Sequence, residues 1–225
     1  MEDTPPPPGF YPAGQRPEDQ RGAKRLTLLL RSAKLVCTAG EFVCIVHDVS
    51  ATGVRLRVFH PLPDQGELAL VQGNGAVHFL DRVWQKGEFA GFRFAVPVDV
   101  AEFVSEPSPW PRRPVRINLE RPALILAQGG VNTAAVLNLS AQGAAIVTER
   151  YLAVGQRVRL EAQGMPSRMG CVKWRALPRY GLVFDQTMSL PDFACMVGQL
   201  QLNPLPPPAA APTPDWRGTV LPFRQ

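Results

Sequence analysis

The sequence predicts an all-β chain with minor helix, organised as two consecutive six-stranded β-barrels that are each followed by a short C-terminal helix. Three observations carry that expectation. First, Asp48, Ser50, Gly53, Trp84, Gly91 and Phe94 are matched by Asn138, Ser140, Gly143, Trp174, Gly181 and Phe184, each 90 positions on. A period of that length exceeds the few tens of residues of a solenoid unit, so each copy holds its own core. Second, within each copy six short apolar and β-branched runs are separated by tight-turn residues, and closing six such strands removes the edges that a small open sheet exposes. Third, the 225 residues are 45% hydrophobic and 19% charged, an ordinary globular balance with room for two such domains plus tails.

Residues 1–18 carry Pro5 to Pro8, Gly9, Pro12, Gly14 and Pro17, a composition that favours extended or disordered backbone and marks a tail. The first barrel is expected over residues 19–104. A short basic arm, Gln20 to Arg25, leads into an apolar stretch over residues 26–37, and the turn residues 38–41 separate this from a second apolar run over 42–47. After the polar stretch Asp48-Val-Ser-Ala-Thr-Gly53, Val54-Arg-Leu-Arg-Val58 alternates strictly, so Val54, Leu56 and Val58 face a core and Arg55 and Arg57 face outward. Leu68 and Leu70 suggest a fourth strand. Gly73-Asn-Gly75 marks a turn before strands expected over 76–85 and 89–95, and residues 97–104 read as a short helix across one end.

Residues 105–111 are proline-rich and read as a semi-rigid linker. The second barrel, residues 112–202, repeats the first, with strands expected over 117–127, 132–138, 144–148, 157–162, 168–175 and 180–185. Ser189, Pro191 and Asp192 form a helix start, and Phe193, Met196, Val197 and Leu200 come after it on one face. That helix reads as a barrel cap, with partner binding as the alternative for its apolar stripe. Residues 203–225 return to proline and alanine, with Trp216 and Phe223 as unusual tail residues that suggest docking on a domain or a partner.

The formal net charge of +5 favours an anionic partner weakly. No apolar run reaches 18 residues and the N-terminus lacks the basic-then-apolar pattern of a signal peptide, so the expectation is a cytoplasmic chain without membrane insertion. Cys37, Cys44, Cys171 and Cys195 form no Cys-x-x-Cys pair and read as buried thiols; Cys44, His47 and Asp48 lack the further ligand that a metal site needs. There is no Walker loop or nucleophile motif, and His47, His60 and His78 make no recognisable acid–base arrangement, so an enzyme is not expected. Aromatic residues at 8%, mostly in core-facing contexts, argue against a single-strand nucleic-acid binder, and no DNA or RNA partner is expected.

The polar landmarks remain. Arg21 and Arg25 precede Asp48 as Arg112 and Arg116 precede Asn138, with the same internal spacing of four; the gap from first arginine to Asp or Asn is 27 residues in one copy and 26 in the other. Taken alone, Asp-x-Ser-x-x-Gly is also a common turn between strands. Together with the arginine arm and the downstream Trp and Gly-x-x-Phe, it resembles the PilZ domain, over roughly residues 20–104 and again over 111–202. The resemblance implies a six-stranded barrel with a helix and binding of the bacterial second messenger cyclic di-GMP. It assigns Arg21, Arg25, Asp48, Ser50 and Gly53 to a first site, and Arg112, Arg116, Asn138, Ser140 and Gly143 to a second.

The residue chemistry suits that ligand. A guanidinium donates in bidentate fashion to phosphate or to a guanine Hoogsteen edge and stacks on a purine face. Asp48 is an acceptor for guanine N–H donors; Asn138 accepts without charge, so the second site is expected to be the weaker. Gly53 and Gly143 permit positive φ or close approach of a ligand. Trp84 and Trp174 read as barrel packing. The expected function is a non-enzymatic cyclic di-GMP receptor, without a cofactor, that couples binding to an interdomain change or to an unidentified protein partner. The alternative is a PilZ-like protein-interaction module in which one or both nucleotide sites do not function.

Overall fold

Alternation of side chains decides which residues of each strand meet inside. In Gly53–Val58 the inward residues Val54, Leu56 and Val58 are buried while Arg55 and Arg57 lie on the outer surface. The computed structural model describes residues 26–62, 66–109, 111 and 114–203. The expected tail over 1–18, Arg21, Arg25, Arg112, Trp216 and Phe223 lie outside the described residues.

The first barrel comprises β1 (Leu26–Cys37), β2 (Gly40–Ser50), β3 (Gly53–Val58), β4 (Leu68–Val71), β5 (Val77–Lys86) and β6 (Phe89–Phe94), followed by α1 (Val100–Ser105). The second comprises β7 (Ile117–Ala127), β8 (Gly130–Ser140), β9 (Gly143–Val147), β10 (Arg157–Ala162), β11 (Arg168–Ala176) and β12 (Arg179–Phe184), followed by α2 (Leu190–Leu202). The chain forms two compact units, each built around one barrel. Both barrels are closed and antiparallel, with one strand order: β1-β2-β3-β6-β5-β4 in the first and β7-β8-β9-β12-β11-β10 in the second. Leu35, Leu56, Leu70 and Phe92 fill the first core. Ile125, Ile146, Leu160 and Tyr180 are buried in the second unit.

Two register slips fall at matched positions in the two barrels, and the β7–β8 ladder has a further one between Asn118 and Arg121. The β2–β3 register slips between Val46 and Asp48, and the β8–β9 register slips between Val136 and Asn138. The β5–β6 ladder slips between Arg82 and Trp84, and β11–β12 between Val172 and Trp174. One extra residue in a strand inverts the phase of every side chain after it. The bulge at His47 therefore turns Asp48 out of the barrel, and the bulge at Val83 does the same for Trp84.

The helices begin on side-chain caps and end on arginines. Asp99 accepts from the backbone N–H groups of Ala101 and Glu102, and Ser189 accepts from that of Asp192. Arg31 of β1 donates to the Val104 carbonyl at the end of α1; its counterpart 90 residues on, Arg121 of β7, donates to the Leu200 carbonyl of α2 and, at 3.2 Å, to that of Asn203. The expected cap is thus seen in α2, whose Phe193, Met196, Val197 and Leu200 are buried. The cysteines depart from expectation. Cys44 is buried, and burial pushes its thiol up to about 12, but Cys37 and Cys171 are partly exposed and Cys195 stands on the outer face of α2.

Candidate functional site

The bulges gather the landmark residues into one row across the outside of each barrel. In the first, Asp48 pairs opposite Arg55, Arg55 opposite Gly91, and Gly91 opposite Trp84, a line across β2, β3, β6 and β5. In the second, the line runs Asn138, Ala145, Gly181, Trp174. Trp84 and Trp174 are 44% and 43% exposed, so they are outer-face residues and not interior packing. Each indole lies on the glycine opposite, where a Cβ would overlap the ring nitrogen.

The turn that carries the motif is pinned identically in both copies. Ser50 Oγ donates to the Gly53 carbonyl and Ser140 Oγ to that of Gly143, both at 3.2 Å. Val98 N–H donates to Ala51 O at 2.8 Å, and Met188 N–H to Ala141 O at 2.9 Å. Gly53 and Gly143 do not adopt left-handed backbone. Their need for hydrogen comes from the neighbouring strand: a Cβ on Gly53 would come within 2.8 Å of the Phe92 carbonyl oxygen, and one on Gly143 would overlap that of Leu182. The close approach seen at these glycines is that of β6 and β12.

The two rows differ in their electrostatics. Asp48 is 6% exposed, and its Oδ2 lies 2.6 Å from Arg55 Nε, an ion pair whose N–H is not aligned as a hydrogen bond. Arg55 also donates to His47 Nδ1 at 2.7 Å and stands 5.3 Å from the centroid of Phe89. His47 Nδ1 also lies 3.3 Å from Asp48 Oδ1, so guanidinium, imidazole and carboxylate form one cluster. Asp48 and Arg55 border a cavity of about 380 Å³ that Gly53, Val83, Trp84 and Gly91 also line. That volume falls within the range of small-molecule sites.

In the second barrel, Arg116, exposed just before β7, donates to Asn138 Oδ1 at 3.3 Å. This bond joins the arginine arm to the Asn-x-Ser-x-x-Gly turn. Of the sequence-derived residues, the structure therefore brings together Asp48, Ser50 and Gly53 in one barrel, and Arg116, Asn138, Ser140 and Gly143 in the other. Arg55 and the two tryptophans share these rows, although the sequence reading places none of them among the candidate site residues. The 90-residue offset would have drawn attention to Arg55, because the second copy has Ala145 there.

Residues 111–200 match the family model of the PilZ domain. That span covers the second barrel and most of α2, and the first barrel shares the strand order and the two matched register slips of the second. Among curated proteins no match is found. Among solved structures the chain is similar to the PlzA protein of Borreliella burgdorferi in complex with c-di-GMP, at 12% identity over 79% of this chain and 93% of that one, with a TM-score of 0.33. It is also similar to YcgR from Escherichia coli in complex with c-di-GMP (13% identity, 75% and 82% covered, TM-score 0.32) and to the MrkH–c-di-GMP complex of K. pneumonia (11%, 77% and 86%, 0.32). No helix among the described residues is long and apolar enough to cross a membrane.

Proposed function

We propose that the chain is a non-enzymatic receptor for cyclic di-GMP, with one site on each barrel. The observation that carries this reading is the Arg116–Asn138 hydrogen bond inside the PilZ-matched span, because it joins the two halves of the motif at a single surface. Arg112 and Arg116 supply donors to phosphate and guanine, Asn138 accepts from a guanine N–H, and Trp174, in the same outer-face row as Asn138, offers an aromatic face. Arg21, Arg25 and Asp48 play the matching parts on the first barrel, with Trp84.

Arg112 and Arg116 directly follow the proline-rich residues 105–111. Nucleotide held by this arm selects among interdomain orientations, and a protein partner reads the result; Arg21 and Arg25 act as a local gate on the first barrel. Competition binding tests the receptor reading. Labelled cyclic di-GMP retained by the protein is displaced by unlabelled cyclic di-GMP and not by GMP or GTP. Equal displacement by all three would leave only a non-selective anion site. For the coupling, small-angle scattering with and without nucleotide should lose its ligand-induced change in R112A/R116A and keep most of it in R21A/R25A.

A further inference from the structure

The two rows are built alike except at one central position, and the difference is a charge. Arg55 and Ala145 occupy equivalent places, each directly opposite the Asp or Asn of the motif and each directly opposite the glycine beneath the tryptophan. In the first barrel the acceptor that a guanine edge would use is taken: Asp48 is 6% exposed and its Oδ2 lies 2.6 Å from Arg55 Nε. The same guanidinium is steadied by His47 Nδ1 at 2.7 Å and by the face of Phe89. In the second barrel the acceptor is partly exposed and uncharged; the guanidinium on it, at 3.3 Å, is that of the arm residue Arg116, and Ala145 opposite offers no competing charge.

We infer that Arg55 is a built-in competitor for the first site, so that the second barrel fills first and the first fills only when Arg55 leaves Asp48. This rests on the receptor reading above and reverses the order expected from Asp against Asn alone. A carboxylate is the better acceptor for a guanine N–H in isolation. Here it is presented already paired and desolvated, and a ligand gains only the difference between its own contact and the one it displaces. Arg55 thereby sets the interval of ligand concentration between the two binding events.

The indole N–H resonances of Trp84 and Trp174, assigned with W84F and W174F, report each barrel separately in an NMR titration with cyclic di-GMP. The expected result is that Trp174 responds at the lower concentration. R55A should move the Trp84 response to lower ligand by about tenfold, the size of one charge-assisted contact no longer displaced. The reciprocal A145R places the competitor in the second barrel and should weaken the Trp174 response, which keeps the test decisive if R55A folds poorly. A Trp84 response that precedes that of Trp174 overturns the inference. So does an R55A protein that binds more weakly at Trp84, which would make Arg55 a ligand contact. If neither indole responds in wild type or in either variant, the receptor reading itself falls and this inference falls with it.

Discussion

Trp84 lies with its indole nitrogen against the Cα of Gly91, its direct cross-strand partner, and no side chain larger than hydrogen fits between them. Trp174 and Gly181 repeat the arrangement in the second barrel. Each glycine thus serves as the floor on which an exposed aromatic rests beside the motif turn. Gly91→Ala should lift the Trp84 ring and cost about 1 kcal/mol, at the low end of overpacking because the half-exposed ring can swing outward. Urea unfolding measures the cost. Tryptophan emission compared with a W84F control should shift to the red, and an unchanged spectrum would show that the ring does not rest on this glycine.

Arg121 is a charged residue on an inward position, 4% exposed, and its partners are the Leu200 and Asn203 carbonyls. Arg121→Met keeps the apolar stem but leaves the end of α2 without its charged donor. The second barrel should lose about 2–4 kcal/mol in urea unfolding. Arg31→Met, at a side chain 28% exposed and on a shorter helix, should cost about 1 kcal/mol. Equal losses would mean that burial does not govern these contacts.

The first barrel should weaken in mild acid. Burial lowers the His78 imidazole below 6.5, with Glu102 opposing in part, and its ring stands against Gln72, Phe94 and Phe103. The unfolded chain takes up this proton more readily than the fold does. The contribution is therefore intact above about 6.5 and is lost as pH falls through that value toward the lower folded pKa. His60 is shifted the same way by burial. Urea midpoints between pH 8 and pH 5 should fall less steeply for His78→Gln than for wild type. Parallel profiles would show that His78 does not set this acid sensitivity.

Strand patterning was legible wherever a run stayed in phase. β1, β7 and β10 occupy the spans that apolar periodicity marks, and the inward Val54, Leu56 and Val58 are read directly from alternation. The bulges were not legible, because an extra residue such as His47 or Val83 carries no turn chemistry of its own and only changes the phase of the residues after it. That is why Trp84 and Trp174 read as packing. At Gly53 and Gly143 the structure adds a close approach by a neighbouring strand's carbonyl, which no local pattern encodes. Arg31 and Arg121 share the 90-residue offset and were open to detection. What hid them was position: an arginine on a strand reads as a solvated face until the helix end that it serves is in place.

Nucleotide uptake through the arm and the turn together is the central claim, and isothermal titration of the purified protein with cyclic di-GMP measures it directly. Wild type should release or absorb heat in two resolvable steps, and GMP and GTP should give none at the same concentrations. Arg116→Ala, which removes the donor to Asn138 Oδ1, should weaken the tighter step by about 1–3 kcal/mol and leave the other in place. Absence of heat at high micromolar cyclic di-GMP, or a tighter step indifferent to Arg116→Ala, would contradict that claim.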